Sequence, residues 1–473
     1  MRAVLALALL AGYFVVGGLL SVGLLFLAVW VWLRQEDPGG AIWLTIIGLG
    51  VGVPMGWSLL RAIYARPEPG GVPLTREAQP ELWRHVDELA ALAQTRSPDD
   101  IRLVAEANAA VWEHRDVRYL RLGLPLLAGL SVGELRSVLA HELGHYGGGH
   151  TKASEATFRA KLALEDAQDG LVNGFGFGPV LFAYARLYAL VAASVSREHE
   201  LYADSRSVLA AGRPTAQRAL QRIGPLHEAW TDFVGSYVSL ADHAERMPPL
   251  LAGFRAYLDH PRRVHELREL QEVYADQEPT SVFDSHPPVR ERVAAMAGMP
   301  GPEVVPDDER PGWTVVNGLD NLAQELLEPR PIADWPEIVE LAGPAHVTRQ
   351  AALLAHAGRV ARIGDTLGDV LDALARGELR KLTGGTVDPT VSEADALRAA
   401  VDAVSELLGF AIADALVRTG RARLELNWGG VFTLRFADGA VVYPDDLVRP
   451  AVADPVLVPQ LRAQLREMGM DGL

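Results

Sequence analysis

The sequence contains no cysteine among its 473 residues. This absence excludes disulfide bonds, cysteine-based zinc knuckles and thiol nucleophiles from the chemistry of the chain. The composition is compatible with a reducing compartment and does not require one.

Long basic blocks are also missing. Lysine and arginine total 44 residues against 60 aspartates and glutamates, and the formal net charge is -16. Since nucleic-acid binding depends on clustered positive charge, we expect no nucleic acid as a partner. No internal repeat is evident, and the length allows about two to four domains that each bury a core.

Charged residues are absent from two long N-terminal stretches, Ala3–Leu33 and Ala41–Leu60. Each could cross a hydrocarbon core of about 30 Å as a helix, which predicts two transmembrane spans. A cleaved signal peptide is the alternative, but the first run is about twice as long as the apolar part of such peptides, and a second run follows at once.

The charges beside the spans indicate their orientation. Arg2, Arg61 and Arg66 flank the spans, whereas the connector RQEDPGG holds one arginine and two acids. The positive-inside rule therefore places both ends in the cytoplasm.

Helical and strand patterns mix after the hairpin. A helix is expected from about Thr75 towards Gln94. Residues 101–104 and 117–122 alternate apolar and polar side chains, which predicts short half-buried strands. This region therefore reads as α+β.

The stretch Gly170–Ser196 is apolar enough to raise the question of a further span. A single crossing would separate residues on its two sides by the membrane. We therefore expect one long helix from Pro179 to Ala211, ended by Gly212, whose apolar half packs on the domain or lies at the membrane surface. A re-entrant pair of half-spans is the alternative.

The segment Met299–Gly312 is rich in proline and acidic residues, which is typical of a linker. Residues 313–417 after it read as mostly helical. Gly429-Gly430 and Asp438-Gly439 then interrupt an alternating pattern as two-residue hairpin turns, which predicts a three-stranded meander.

The motif HELGH combines His141, Glu142 and His145 on a helix that should run from about Val132 to Tyr146, because Ser131 and Glu134 form a capping box. Residues four apart on a helix point the same way, so that two imidazoles can share one zinc ion. The intervening glutamate can then take a proton from water as that water attacks a carbonyl carbon. A chance match is the alternative reading of so short a motif.

The third ligand decides the class of the site. A metzincin requires a histidine where this chain has Thr151, and charged residues flank the motif, which argues against a site inside a membrane span. Downstream, SREHELYAD offers Glu200 and Asp204 on one helical face, which suits a zinc ligand and an acid that orients a ligating histidine. Glu198 should point elsewhere. A solvated acidic helix face is the alternative.

Taken together, these motifs resemble the integral-membrane gluzincin peptidases that include the HtpX heat-shock protease and the CAAX-prenyl protease. HELGH matches the zinc-binding helix, ELYAD the ligand helix and SHPPVRERV the following segment, while NAAVW is similar to the element beside the cleft. The resemblance covers roughly residues 74–296 and the N-terminal hairpin. Members related to HtpX usually have two further spans between the histidines and the glutamate, where this chain has one apolar stretch.

The resemblance implies one zinc ion bound by His141, His145 and Glu200, with Glu142 as general base. Together, the sequence patterns and the resemblance predict an α+β fold that is mainly α, with a transmembrane helical hairpin, a gluzincin-type domain with a small sheet and, from the patterns alone, a C-terminal α+β domain ending in a β-meander. The expected domains are residues 1–66 (hairpin, spans about 3–33 and 41–60), 67–298 (zinc metallopeptidase), 299–312 (linker) and 313–473 (C-terminal, of unknown role).

His286 precedes two prolines and has two readings. It caps a short helix expected over Val289–Met296, or it lies over the zinc and serves the oxyanion of the tetrahedral intermediate or the fourth coordination position. Arg290 and Arg292 are candidates for positive charge at the same place, although arginine in the first turn of a helix is more often solvated.

The leading hypothesis is a membrane-anchored zinc endopeptidase that cleaves extended or misfolded polypeptides from the cytoplasmic side of the bilayer. Asn108 and Ala109 would hold the substrate as an added strand at the edge of the cleft. A catalytically silent membrane scaffold and a processing protease for one dedicated membrane substrate are the alternatives.

Overall fold

A computed structural model describes residues 2–34, 38–64, 70–114, 116–147, 197, 199–277, 287–302, 307–383 and 392–470. Helices predominate, and two small sheets accompany them. The predicted class, α+β and mainly α, is confirmed. The expected helix start at Pro179 and the apolar stretch Gly170–Ser196 lie outside the described residues.

Two long apolar helices, Arg2–Arg34 and Pro38–Tyr64, open the chain. Their segments Ala11–Arg34 and Pro38–Trp57 are long and apolar enough to cross a membrane, in agreement with the two predicted spans. The Ser21 hydroxyl donates a hydrogen bond of 2.7 Å to the carbonyl of Gly48 and joins the pair. Such a bond suits an apolar environment, because it leaves no hydroxyl unsatisfied.

The chain forms two compact units. Unit 1 comprises residues 1–228 and 267–322, and unit 2 comprises residues 229–266 and 323–473. This grouping by proximity differs from the expected order of domains along the chain, which stays a prediction.

A four-stranded sheet lies in unit 1, with the strands β1 Val72–Pro73, β2 Asp100–Val104, β3 Ala109–His114 and β4 Val117–Gly123. The spatial order is β1-β2-β4-β3; β2 and β4 are parallel and the other pairs are antiparallel. Ile101, Leu103 and Leu120 on one face are fully buried. The alternation that predicted β2 and β4 therefore marks the face that packs against the helices.

The helices wholly within unit 1 after the hairpin are Pro80–Leu92, Leu124–Gly129, Val132–Gly144, residues 199–211, Val289–Ala297 and the 3-10 turn Gly312–Val315. Three others, Arg213–Phe233, Pro261–Gln277 and Leu319–Gln324, contain the residues at which the chain passes between units. The first helix begins at Pro80 and not near Thr75, because proline is well suited to the first helical turn. Gly212, with φ +78°, follows the helix of residues 199–211 as predicted.

Unit 2 contains a three-stranded antiparallel meander, Ala422–Leu426, Phe432–Phe436 and Val441–Val442, as the sequence predicted. Its loops hold three residues between the hydrogen-bonded pairs Asn427–Val431 and Phe436–Ala440, and not the two residues expected. The helical elements of unit 2 are the π-helical Val234–Val238, Ser239–His243, Leu250–Leu258, Trp335–Val360, Leu367–Ala375, Leu379–Leu382, Glu393–Arg418, Pro444–Ala453, the 3-10 turn Pro455–Leu457 and Val458–Glu467. The last three follow the meander, so the expectation that the meander ends this domain is wrong: Pro444 begins a further helix directly after the third strand, and helices end the described chain. Phe233 lies at the centre of an aromatic core and contacts Trp230, Tyr237, Phe254, Tyr257 and Trp335.

Candidate metal centre

The HELGH motif lies on the helix Val132–Gly144, hereafter the HExxH helix. The predicted capping box is present: Ser131 Oγ accepts from the amide of Glu134 at 3.2 Å, and Glu134 Oε2 accepts from the amide of Ser131 at 2.9 Å. These two bonds satisfy donors that a helix N-terminus otherwise leaves open. The helix start, and with it the direction of the later histidines, is therefore fixed locally.

The start of the HExxH helix also forms backbone hydrogen bonds with a segment that is distant in sequence. The amides of Val132 and Gly133 donate to the carbonyls of Arg310 and Asp308, at 2.7 and 2.9 Å. The amide of Gly312 donates to Leu130 at 2.7 Å. The described end of the Pro-rich acidic stretch thus pairs with the start of this helix.

Three candidate ligands converge at the C-terminal end of this helix: His141 in its last turn, His145 as its C-cap residue and Glu200 from the helix of residues 199–211. The Nε2 atoms of His141 and His145 lie 3.1 Å apart. The carboxylate oxygens of Glu200 lie 3.5 Å from the Nε2 of His141 and 3.6 Å from that of His145. All three ligand atoms fall within 4.8 Å of one another.

This donor set fits zinc. Tetrahedral ligands at ordinary Zn–N and Zn–O bond lengths lie about 3.3 Å apart, close to the separations found here. Two imidazoles and one carboxylate also leave a fourth position for water or substrate, which is the pattern of catalytic rather than structural zinc sites. The residues present therefore match the metal that the sequence predicted.

Close packing of two helices brings Glu200 to the histidines. A Cβ atom added at Gly144 would lie 3.0 Å from the Cα atom of Ala203, so glycine allows residues 199–211 to approach. Ser207 Oγ donates to the carbonyl of Ser137 at 2.8 Å and fixes the register between the two helices. Glu200 is only 3% exposed as a result.

Asp204 lies behind His141, with its Oδ1 3.1 Å from the Nδ1 of that ring. A carboxylate at Nδ1 holds the tautomer in which Nε2 carries a lone pair towards a metal. Arg292 in turn donates to both oxygens of Asp204, at 2.6 and 3.0 Å, in a bidentate pair. Asp204 is 0% exposed and Arg292 is 7% exposed.

The charges around His141 determine its protonation in the metal-free protein. Burial and the neighbouring Arg292 lower the pKa of His141, but bonds to Asp204 and Glu200 outweigh them and raise it to about 9. For Asp204, burial opposes ionisation, yet the bonds from His141 and Arg292 hold its pKa below the usual value. The pKa of Arg292 is raised by Asp204 and Glu200 despite its burial.

The remaining site residues occupy different surroundings. Glu142 is half-buried and contributes to the electrostatic field at Arg292. Arg290 is exposed, in contrast to Arg292 two residues later. His286 lies outside the described residues, as do Glu198 and Thr151.

Ala109 begins β3, the last strand in the order of the described sheet, and Asn108 directly precedes it. Asn108 is exposed, and its carbonyl accepts from the amide of Gly123 at 2.9 Å. β3 packs against the HExxH helix. The structure thus places these residues beside the helix that bears the candidate ligands.

Sequence reasoning left one partnership unrecognised. Arg292 was a candidate for positive charge at the zinc site, and its guanidinium lies 3.4 Å from the Nε2 of His141 and 3.6 Å from the carboxylate of Glu200 rather than in solvent. Its bidentate pair with Asp204, 88 residues away, was not expected. No periodic pattern connects two residues so far apart. A physical argument could have predicted a cationic partner for Asp204, because a buried carboxylate beside a histidine needs a hydrogen-bond donor for its remaining oxygen.

Comparison with known proteins identifies a family whose model matches this chain. The model of Peptidase family M48 matches residues 76–299. Protease HtpX homolog of Acidiphilium cryptum is 30% identical over 305 residues, which cover 60% of this chain and 95% of that protein. Protease HtpX homolog 1 of Streptomyces coelicolor is 31% identical over 227 residues, covering 43% of this chain and 69% of the relative. No solved structure matches the chain.

Proposed function

The chain belongs to Peptidase family M48, among the HtpX-type membrane metallopeptidases, and from this premise we propose that it is a zinc-dependent endopeptidase acting on extended or misfolded polypeptides at a membrane. The family and the two apolar helices support a membrane protease. The observation that carries the zinc assignment is the convergence of His141, His145 and Glu200 within 4.8 Å.

The proposed mechanism assigns each proton to a residue. A bound zinc ion would supply Lewis acidity, which lowers the pKa of water and polarises the scissile carbonyl. Glu142 accepts one proton as the water oxygen bonds to the carbonyl carbon. It then delivers that proton to the amide nitrogen as the C–N bond breaks, so that a carboxylic acid and an amine leave.

Two neighbours would keep the first ligand in place. Asp204 orients His141 through Nδ1, and Arg292 neutralises and orients Asp204. Asn108 and Ala109 at the start of β3 would receive the substrate as an added strand. Backbone pairing of this kind discriminates little between side chains, which suits a protease for damaged polypeptides.

A cytoplasmic catalytic side is part of the same proposal, because Arg2, Arg61 and Arg66 flank the two spans. His286 stays a candidate for the oxyanion or the fourth zinc position. Replacing it with alanine should lower peptidase activity or change zinc affinity if either role holds.

Metal analysis with a casein-cleavage assay tests the proposal. Glu142→Gln should keep about one zinc per chain and lose roughly 100-fold or more in turnover, because a general base typically contributes 10²–10⁴-fold. Glu77→Gln, at an exposed position, is the matched control and should cleave as the wild type does. Bound zinc in both the wild type and Glu142→Gln, with cleavage by neither, would favour the catalytically silent scaffold. Full activity of Glu142→Gln would show that Glu142 is not the general base.

A substrate trap separates general from dedicated proteolysis. The Glu142→Gln protein should retain bound polypeptides in its native membrane, since binding is kept while the proton transfer is lost. Many unrelated captured proteins would support the turnover of misfolded polypeptides. Capture of one membrane protein alone would favour a processing protease.

A further inference from the structure

The HExxH helix ends at the second histidine of its motif. His145 is the C-cap residue, whereas His141 lies in the last turn. The amide of His145 reaches the carbonyl of His141 at 3.3 Å, and the amides of Tyr146 and Gly147 reach back only three residues, at 3.1 and 3.0 Å. Because the last carbonyls of a helix have no partner within it and helix ends fray, the second candidate ligand needs support from outside the helix.

A relay of hydrogen bonds supplies this support at the residue after the ligand. The Thr95 hydroxyl donates to the carbonyl of Tyr146 at 3.0 Å. The same hydroxyl oxygen accepts from Nη1 of Arg118 at 2.7 Å. A hydroxyl carries a single proton, so a donor that occupies one of its lone pairs directs that proton to the other partner. The relay therefore runs from Arg118 through Thr95 to the backbone that follows His145.

Arg118 is itself held firmly in the sheet of unit 1. It lies on β4 and is 3% exposed. Its Nε and Nη2 donate to Oε2 of Glu113, its neighbour across the pair of β3 and β4, at 3.3 and 3.1 Å. Its Nη1 also donates to the carbonyl of Arg96 at 2.7 Å. A buried arginine that is neutralised by a carboxylate and bonded to backbone has little freedom to move, and it can therefore fix its other partners.

The guanidinium of Arg118 also covers the ring of Tyr146. Its Cζ atom lies 4.8 Å from the ring centroid, within the range of a cation–π contact. Arg118 thus acts on this residue at the ring directly and at the carbonyl through Thr95. On the other side of the ligand, Gly144 packs against Ala203. The backbone of the second histidine therefore lies between two fixed neighbours.

We propose that Arg118 is a positioning residue for the second zinc ligand, acting through Thr95 and Tyr146 on the backbone of that ligand. The inference rests on the proposed function, because His145 has this role only if it binds zinc. The first histidine of the motif is held by a buried arginine too, through Asp204. Loss of an outer partner of a metal ligand costs roughly 10- to 100-fold in metal affinity, and a partner that acts through backbone should lie near the lower end.

Variants of the relay test this role, because they leave every candidate ligand in place. Arg118→Lys removes several buried bonds at once and affects the fold as well as the site. Thr95→Val keeps the shape of the side chain and removes only its hydroxyl, and Thr95→Ser restores that hydroxyl. Arg102→Lys is the matched control for the lysine variant, because Arg102 lies on the neighbouring strand β2 and pairs with Asp100 at 2.9 Å. Thermal unfolding of each full chain in detergent measures the stability of the fold.

Cobalt substitution gives a readout that a loss of stability alone does not change, because the absorption bands of bound cobalt depend on the geometry of its ligands. Thr95→Val should shift these bands and lower zinc affinity, measured by competition with a chelator, by roughly 3- to 10-fold. Arg118→Lys should lower the affinity by about 10-fold or more. Thr95→Ser and Arg102→Lys should both keep the spectrum and the zinc affinity of the wild type.

The outcomes separate this inference from the proposed function. A Thr95→Val protein with the spectrum and zinc affinity of the wild type would overturn the positioning role and leave the zinc site intact. Equal losses in Thr95→Val and Thr95→Ser would overturn it too, because the hydroxyl would then not be responsible. A wild-type protein that binds neither metal would instead contradict the proposed zinc site, and this inference with it.

Discussion

At the residue scale, the candidate metal centre depends on side chains that touch no substrate. Arg292 forms the bidentate pair with Asp204, which in turn holds His141. Lysine keeps the charge but cannot form two parallel hydrogen bonds, so it is a poor substitute at such a site. The guanidinium is therefore expected to position the first ligand rather than to neutralise charge alone.

Arg292→Lys should lower zinc affinity and turnover by roughly 10- to 100-fold, the usual effect of losing an outer partner of a metal ligand. Cobalt substitution provides the spectroscopic readout, because its absorption bands report ligand geometry. Arg290→Lys is the matched control on the same helix and should leave zinc affinity, turnover and the cobalt spectrum unchanged. A lysine variant with the spectrum and affinity of the wild type would contradict the positioning role.

The raised pKa of His141 leads to a pH prediction. A pKa of about 9 means that His141 carries a proton in the metal-free protein at pH 7, whereas zinc binds only the neutral ring. Zinc binding should therefore release close to one proton at pH 7, and zinc affinity should increase with pH until about pH 9. Titration calorimetry in buffers of different ionisation enthalpy measures this release.

The control for that measurement is Asp204→Asn. The substitution removes the carboxylate bond that raises the pKa of His141, so fewer protons should be released at pH 7. Proton release that is the same in both proteins would show that Asp204 does not set the protonation of the ligand.

At the element scale, the approach of two helices sets the distance between the histidines and Glu200. Gly144→Ala adds a Cβ atom 3.0 Å from the Cα atom of Ala203, so residues 199–211 must move outward. Alanine favours an isolated helix by about 1 kcal/mol over glycine, yet we expect zinc affinity to fall about tenfold, and further with Gly144→Val. Equilibrium dialysis against a zinc chelator measures the change.

Gly298→Ala is the matched control, because the nearest atom to its added Cβ is the carbonyl oxygen of Ala295 at 3.7 Å. It should bind zinc as the wild type does. Undiminished zinc affinity in Gly144→Ala would show that the two helices tolerate a wider spacing.

The same elements show what sequence could predict. Ser131 and Glu134 mark the start of the HExxH helix, and alternation marks β2 and β4, because these signals lie within a few residues of one another. The acceptors of the Val132 and Gly133 amides lie about 180 residues away, in a stretch that its prolines and acids mark as a linker. Backbone hydrogen bonds of this kind depend on no particular side chain, and the sequence therefore carries no sign of them.

At the scale of the whole molecule, unit 2 takes residues 229–266 from within the expected peptidase domain. The Tyr237 hydroxyl donates to the carbonyl of Asn427 at 2.6 Å and accepts from the amide of Val431 at 2.9 Å. These bonds join helix and meander across about 190 residues. Composition changes along a chain mark linkers, but they do not reveal such returns, which is why the expected boundaries follow the sequence order.

The two units lead to a prediction for metal removal. Zinc stabilises only the native state that binds it, by about 4 kcal/mol at 1,000 times the dissociation constant, and all three candidate ligands lie in unit 1. Chelation should therefore lower one thermal transition by about 10 °C and leave a second unchanged. Near-ultraviolet circular dichroism should show both transitions, because packed rings occur in both units, Trp112 on Tyr119 in unit 1 and Phe233 with Trp335 in unit 2. Scanning calorimetry with and without chelator checks both; a single transition that shifts as a whole would show that the two units unfold together and that zinc stabilises both.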